Sequence, residues 1–239
     1  MVTIITICYN SIHFIERTIQ SVLSQDCNDL EYIIIDGGST DGTKEVIQKY
    51  ADKLEYWCSE PDGGIYDAMN KGIIHASGDW VNFMNSGDLF SSKTIVSEMN
   101  LSGLSENIKV VYGDVQMSYS NGLIVRKAYP LKTMSYRMPF CHQSTFVRLE
   151  TLKQYKFDLH YRIGADYKLF YSMYYSLGAD AFKYLPICVA KCDATDSLSQ
   201  KNKFPLWKEY IEIRKAHKDS RWYYDSFKLC IKKLLRYGK

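Results

Sequence analysis

Four consecutive residues, Asn85, Ser86, Gly87 and Asp88, end the apolar run DWVNFMN and set an amide, a hydroxyl and a carboxylate where a buried strand leaves the core. In a chain of alternating strands and helices, side chains at the carboxyl end of a strand face the crevice where ligands bind. Asp36 closes a second apolar run, LEYIIID, just before Gly37 and Gly38. In EPDGGIYDAMNKG, Gly63 and Gly64 permit close backbone approach to a ligand, and the helix start behind them offers unpaired N–H groups suited to anions. Asp62, Asp67 and Lys71 stand ready to order an anionic ligand or one another. Asp166, in IGADYKL, opens a further helix, where negative charge is favoured, and a carboxylate so placed suits general-base work.

These residues need a scaffold that brings strand ends together, and the first 100 residues alternate in the required way. VTIITICY reads as a strand, followed by a helix from about Ser11 with Ile12, Ile15, Ile19, Val22 and Leu23 at helical spacing. LEYIIID is the kind of continuous apolar strand that a parallel sheet buries on both faces. Asp41 is placed to cap a helix bearing Val46, Ile47 and Tyr50, LEYWCSE is a third strand, and a third helix carries Ile65, Met69, Gly72, Ile73 and Ala76 before the DWVNFMN strand. The pattern predicts a doubly wound parallel sheet. Beyond residue 100 it changes: KVVYGDVQMSY and LIVRKAY read as a hairpin turning at Asn121 and Gly122, STFVR as a short strand, and a helix begins near Asp166 with Leu169, Met173 and Leu177 inward.

With 239 residues, 46% apolar and 24% charged, the composition is that of an ordinary globular protein. The opening residues lack a basic region and carry an apolar run too short to span a bilayer, which leads to an expectation of a cytoplasmic protein. Seven cysteines without a CxxC pair fit reduced thiols, with Cys188 and Cys192 as packing residues. Residues 200–239 hold 12 Lys or Arg against 4 Asp or Glu, so the net +3 of the chain hides a negative body and a basic tail.

Six pieces, TIITICYN, IIIDGGSTDGT, EPDGGIYDAMNKGI, FMNSGDLF, CHQSTF and GADYKLFYSM, occur in the order of family 2 glycosyltransferases of the GT-A fold. The chain resembles that family over roughly residues 2–190, and within it the bacterial branch that builds surface polysaccharides. The resemblance implies an α/β fold of GT-A type: a Rossmann-like, mostly parallel sheet with a nucleotide-sugar half over 1–100, a mixed acceptor-binding and catalytic half over 101–199, and a basic helical tail over 200–239. It also implies transfer of a sugar from a nucleoside diphosphate, expected to be UDP, to a glycan acceptor, expected to be lipid-linked.

A nucleotide sugar needs a stacking ring, acceptors for base and ribose, and cover for its diphosphate. Tyr9 is the expected ring, Asp36 the expected acceptor for the base or ribose, and Asp62, Gly63, Gly64 and Lys71 a second wall. Similar enzymes carry Asp-x-Asp at the fourth strand end and use it to hold a divalent cation. Here two acidic positions are missing, so Asp88 and the amide oxygen of Asn85 are the expected ligands for Mn²⁺ or Mg²⁺, with Asn85 as an alternative contact to sugar or ribose. Asp166 falls on the position of the family's base, His142 is an expected contact to acceptor or phosphate, and Arg137 and Arg162 are weaker phosphate candidates.

Other readings stay open. A nucleotidyltransferase would share the nucleotide half but needs a basic phosphate loop near the first strand, where CYNS stands instead, and the same residues exclude a GxGxxG dinucleotide fold. A sugar-nucleotide-binding module without catalysis would also fit a depleted Asp-x-Asp. From Trp222 onward, apolar and basic residues alternate as on an interfacial helix that meets an anionic membrane, while no nucleic-acid recognition motif is present.

Overall fold

A computed structural model describes residues 1–119, 122–193 and 202–217. Asn121 and the tail from Trp222 lie outside the described residues. The first half is built on four parallel strands, β1 (Val2–Cys8), β2 (Leu30–Asp36), β3 (Tyr56–Ser59) and β4 (Trp80–Phe83), in the order β3-β2-β1-β4. Chain order therefore runs outward from β1 to β3 and then returns to the other side of β1. That reversal opens a crevice at the carboxyl ends of β1 and β4.

Alternation along each strand divides the core into two layers. Ile5, Ile7, Ile33 and Ile35 pack on one face with Met69 and Ile73 of α3 (Ile65–His75); Ile4 and Ile34 pack on the other with Ile15, Ile19 and Val22 of α1 (Ile15–Leu23). Both faces of the sheet are thus covered, which is why these strands read as unbroken apolar runs. Gly72 brings α3 close: a Cβ there would sit 2.5 Å from Cγ2 of Ile5.

Helix α1 starts four residues later than its apolar spacing predicts. Asn10 takes a left-handed φ of 46°, the N–H of Ser11 is drawn to the Thr43 hydroxyl at 2.7 Å, and the Ser11 carbonyl accepts from Phe14 and Ile15 in a tight turn. Ile12 is left exposed by this turn. Asp41 receives the N–H of Thr43 at 3.0 Å and that of Ile12 at 3.0 Å, so it ties the start of α2 (Thr43–Gln48) to the same turn.

The second half continues the sheet from β4 through β8 (Thr145–Arg148), β6 (Val110–Tyr119), β9 (Phe182–Asp193) and β5 (Leu89–Phe90), with β7 (Gly122–Arg126) hairpinned on β6. β8 runs antiparallel to β4 and β6, whereas β6 and β9 are parallel. Neither β5 nor β9 is visible in the sequence pattern. The register between β6 and β9 jumps from Tyr112 opposite Tyr184 to Asp114 opposite Cys188, and this bulge accommodates Pro186 within the strand.

The remaining α-helices among the described residues are α4 (Ile95–Glu98), α5 (Leu149–Tyr155), α6 (Ala165–Leu177) and α7 (Lys203–Ala216). Leu169 and Met173 of α6 are buried as expected, while Leu177 at the last turn is exposed. Helix α7 packs on α6, with the Tyr210 ring stacked on Tyr167 at 3.9 Å and Ile213 wholly buried. Cys192 is buried and Cys188 half-buried, both as free thiols. Among the described residues no helix is long and apolar enough to cross a membrane.

Candidate active site

A cavity of about 600 Å³ opens at the carboxyl ends of the four parallel strands. Ile7 and Cys8 of β1 and Tyr9 just after it line it, with Gly37 and Gly38 after β2, Pro61, Asp62 and Gly64 after β3, and Asn85 and Ser86 after β4. The Tyr9 ring is 65% exposed beside this space, placed to stack on a planar ligand. Two facing segments are set by their glycines. A Cβ on Gly37 would lie 2.7 Å from Oδ2 of Asp62, and Gly38, at φ +81°, lies against the backbone of Pro61. The Asp62 carboxylate accepts the Gly64 N–H at 2.8 Å, and Asp67 accepts that of Gly63 at 2.9 Å.

Asp36 does not face the cavity, contrary to the expectation of a direct ligand contact. In register with Cys8 and Ser59, it is fully buried, and its carboxylate accepts the Ser39 N–H at 2.9 Å, the Ser59 hydroxyl at 2.6 Å, the Ser39 hydroxyl and the Cys8 thiol. It forms the floor that fixes the Gly37–Gly38 wall, and burial, together with the negative charge of Asp36, pushes the Cys8 thiol far up. Lys71 also departs from expectation. It pairs with Glu60 at 2.9 Å and donates to the Pro61 carbonyl at 3.2 Å, which holds the wall from behind and raises its own pKa.

From the cavity a chain of side chains leads to the expected base. Asn85, which lines the cavity, bonds through Nδ2 to Nε2 of His142 at 3.1 Å, and Nδ1 of His142 lies 3.6 Å from Oδ2 of Asp166. His142 and Asp166 are only 20% and 21% exposed. Burial works against the charged imidazole, but the facing Asp166 carboxylate, with Cys141 and Asp88 nearby, outweighs it and raises the His142 pKa. Asp166 is the second residue of α6, and its Oδ1 accepts the Tyr167 N–H at 2.7 Å. Tyr66 of α3 reaches the same place, donating to the Ile163 carbonyl at 2.5 Å with its hydroxyl 3.4 Å from Oδ1 of Asp166.

Arg137 and Arg162 are not drawn into this cluster by their side chains. The Arg137 guanidinium lies over the Tyr129 ring at 4.4 Å and is exposed, and Arg162 is exposed on the segment before α6. Tyr66, Gln143 and Glu209 are participants that the sequence reading missed. Their partners lie 45 to 100 residues away in the chain, so no local spacing marks them.

The expected cation ligands have a different placement from that predicted. Asp88 is 9% exposed, and its Oδ2 accepts the Gln143 side-chain N–H at 2.7 Å; burial raises its pKa. Asp88 is not among the residues lining the cavity, whereas Asn85 is, with its Oδ1 buried and unpaired. Among the described residues no group of three or more His, Cys, Asp or Glu side chains converges as a metal site. One neutral amide oxygen at the cavity and one carboxylate turned inward do not fit a free-standing site for a hard divalent cation, which takes several oxygen ligands.

The family model for glycosyl transferase family 2 matches residues 3–164, well over half of the chain. The chain belongs to glycosyl transferase family 2. This family member is 31% identical over 206 residues to a PGL/p-HBAD biosynthesis glycosyltransferase of Mycobacterium bovis, covering 83% of this chain and 79% of that protein. It is 45% identical over 98 residues to an uncharacterized glycosyltransferase of Mycobacterium tuberculosis, a match that covers 41% of this chain and only 37% of the relative. Two solved structures share its fold. TarS 1–349 of S. aureus in complex with UDP-GlcNAc superposes with a TM-score of 0.68 at 16% identity, over 89% of this chain and 66% of that one. Mannosyltransferase PcManGT of Pyrobaculum calidifontis in complex with GDP-Man and Mn²⁺ gives 0.65 at 17% identity, over 92% and 64%. The fold of this family member is therefore of the GT-A type, with a mixed, mostly parallel sheet.

Proposed function

We propose that this chain is an inverting glycosyltransferase that takes a nucleotide sugar, with UDP as the nucleotide, and transfers the sugar to a glycan acceptor. The observation that carries this reading is the unbroken path from the strand-end cavity through Asn85 and His142 to Asp166. Tyr9 stacks on the base, the Gly37–Gly38 and Asp62–Gly64 segments enclose the nucleotide, and Asn85 meets the sugar or ribose beside the departing diphosphate.

In the transfer step the acceptor oxygen bonds to the anomeric carbon while the bond from that carbon to the diphosphate oxygen breaks. The acceptor proton passes to the free oxygen of Asp166, and the electron pair leaves with the nucleoside diphosphate. His142, held by Asn85, faces this oxygen and fixes the carboxylate in line with the acceptor. In keeping with the resemblance to the surface-polysaccharide branch, the acceptor is a lipid-linked saccharide, met at the inner face of a membrane.

A panel of nucleotide sugars tests the reading. Thermal shift identifies the nucleotide, and nucleoside diphosphate release with product analysis by NMR shows transfer with inversion at the anomeric carbon. Binding of a nucleotide sugar with neither hydrolysis nor transfer to any saccharide would make the chain a binding module; release of pyrophosphate would make it a nucleotidyltransferase.

A further inference from the structure

The segment that leads into Asp166 is held by a side chain from the other end of the chain. Glu209 of α7 accepts three successive backbone N–H groups: Oε1 takes that of Arg162 at 3.0 Å, and Oε2 takes those of Ile163 at 3.1 Å and Gly164 at 2.7 Å. Hydrogen bonds to an ionised acceptor are the stronger kind, and a carboxylate at the start of α6 also meets the positive end of that helix. Gly164 permits the closure, since a Cβ there would stand 3.2 Å from Glu209 Oε2 and 3.3 Å from the Tyr210 ring. On the opposite side Tyr66 holds the Ile163 carbonyl, so residues 162–164 are gripped from α3 and from α7 at once. The neighbours of the two carboxylates lock together as well, through the stack of Tyr210 on Tyr167.

A glutamate used only to dock α7 would need one bond to any exposed donor. Here both oxygens converge on the three peptide groups that set where α6 begins, and Asp166 follows two residues later. We infer that Glu209 is a positioning residue for the base: it fixes residues 162–164 so that Asp166 stays opposite His142, which makes α7 part of the working site. The inference rests on Asp166 being the base.

The test compares Glu209→Ala, Glu209→Gln and Leu206→Ala in the full chain. Leu206 touches the same segment through packing alone, 3.4 Å from where a Cβ of Gly164 would be, so its truncation loosens α7 and leaves the carboxylate in place. Turnover is read as nucleoside diphosphate released from the panel donor that turns over fastest, and affinity by calorimetry with UDP. Both Glu209 variants are expected to lose about 10- to 100-fold in kcat, the scale of a misplacement of ~1 Å, with donor KM and UDP affinity unchanged within about twofold. Leu206→Ala is expected to lower Tm while keeping kcat within about threefold, a bound well inside that misplacement scale. Unchanged kcat in both Glu209 variants, or an equal loss of kcat in Leu206→Ala, overturns the inference. Asp166→Asn separates the two readings: if it is inactive while Glu209→Ala is fully active, only the positioning role falls, whereas an active Asp166→Asn removes the base and the positioning role together.

Discussion

Asp166→Asn is the substitution in which the chemistry and the structure separate most cleanly. The asparagine keeps an oxygen to accept the Tyr167 N–H, which Asp166 Oδ1 now accepts at 2.7 Å, and it replaces the oxygen facing His142 with an NH₂ group. A base that cannot take a proton forfeits roughly 10²- to 10⁴-fold in rate, or about 2.7–5.5 kcal/mol of barrier. The structural cost is far smaller. The contact with His142 is long, at 3.6 Å, and the imidazole can change tautomer to meet the amide once Asn85 turns its unpaired Oδ1 toward Nε2, so the loss is about 0.5–1.5 kcal/mol. For a chain of this size that corresponds to roughly 1–6 °C in Tm. Asp166 is not among the residues lining the cavity, so UDP affinity should be unchanged. Single-turnover transfer of a labelled sugar, UDP calorimetry and thermal unfolding together check the three parts. Transfer within about threefold of the parent would refute the base assignment, since the general-base scale starts near 100-fold. A loss of UDP binding that parallels the loss of rate would refute the separation of cavity and base.

Tyr9→Ala should weaken UDP binding about 5- to 150-fold by calorimetry, the range of ~1–3 kcal/mol for a base stacked on an aromatic ring, without a fall in Tm because the ring is exposed; unchanged affinity would remove Tyr9 from the site. Mn²⁺ or Mg²⁺ titrated into the nucleotide-free protein should give no saturable heat, and Asn85→Asp should make such binding measurable by adding a carboxylate at the cavity; tight binding by the parent chain would contradict the placement of Asp88. Glu31→Gln should destabilise the fold in a pH-dependent way. Burial of Glu31 opposes its charge, but the N–H and hydroxyl of Ser77, the Thr3 hydroxyl and the Gly78 N–H outweigh it and hold the carboxyl below its ordinary pKa. A lowered folded pKa means the stabilisation is present above the unfolded value near ~4.3 and is lost as pH falls through the folded one. Urea unfolding should therefore show a gap of about 1–3 kcal/mol at neutral pH that closes in acid, and a constant gap would show that packing, not charge, is lost.

The parallel half of the fold was legible because β1, β2 and β4 are buried on both faces and so read as nearly unbroken apolar runs, with β3 half-buried at the sheet edge. β9 was not, because Pro186 and the two-residue register jump against β6 break its alternation, and β5 is only Leu89–Phe90. At the site, Tyr9 and the two glycine turns were readable from their place after strand ends, and His142 and Asp166 from the motifs that carry the family resemblance. Their mutual approach was not readable. His142 stands 57 residues from Asn85, and Glu209 stands 45 from Gly164, so only the folded sheet and the packing of α7 on α6 show that they meet.

The carboxylates make the physical reason for this division plain. Asp36, Asp88 and Asp166 all follow strand or loop ends where a ligand contact was expected, and sequence position treats them alike. What separates them is how many donors each already accepts. Asp36 has four donors and no exposure, so its lone pairs are engaged by Ser39, Ser59 and Cys8 as part of the scaffold. Asp88 is 9% exposed and bound by Gln143, which turns it away from the cavity. Asp166 keeps Oδ2 with a single long contact, 3.6 Å to His142, and 21% exposure of its side chain. A base needs an oxygen with capacity left for a proton and a path for the acceptor to reach it. That capacity is fixed by which donors the fold brings to each carboxylate. Residue type and spacing mark the candidates, and tertiary hydrogen bonding is what leaves Asp166, among these three, the capacity to serve as the proposed base.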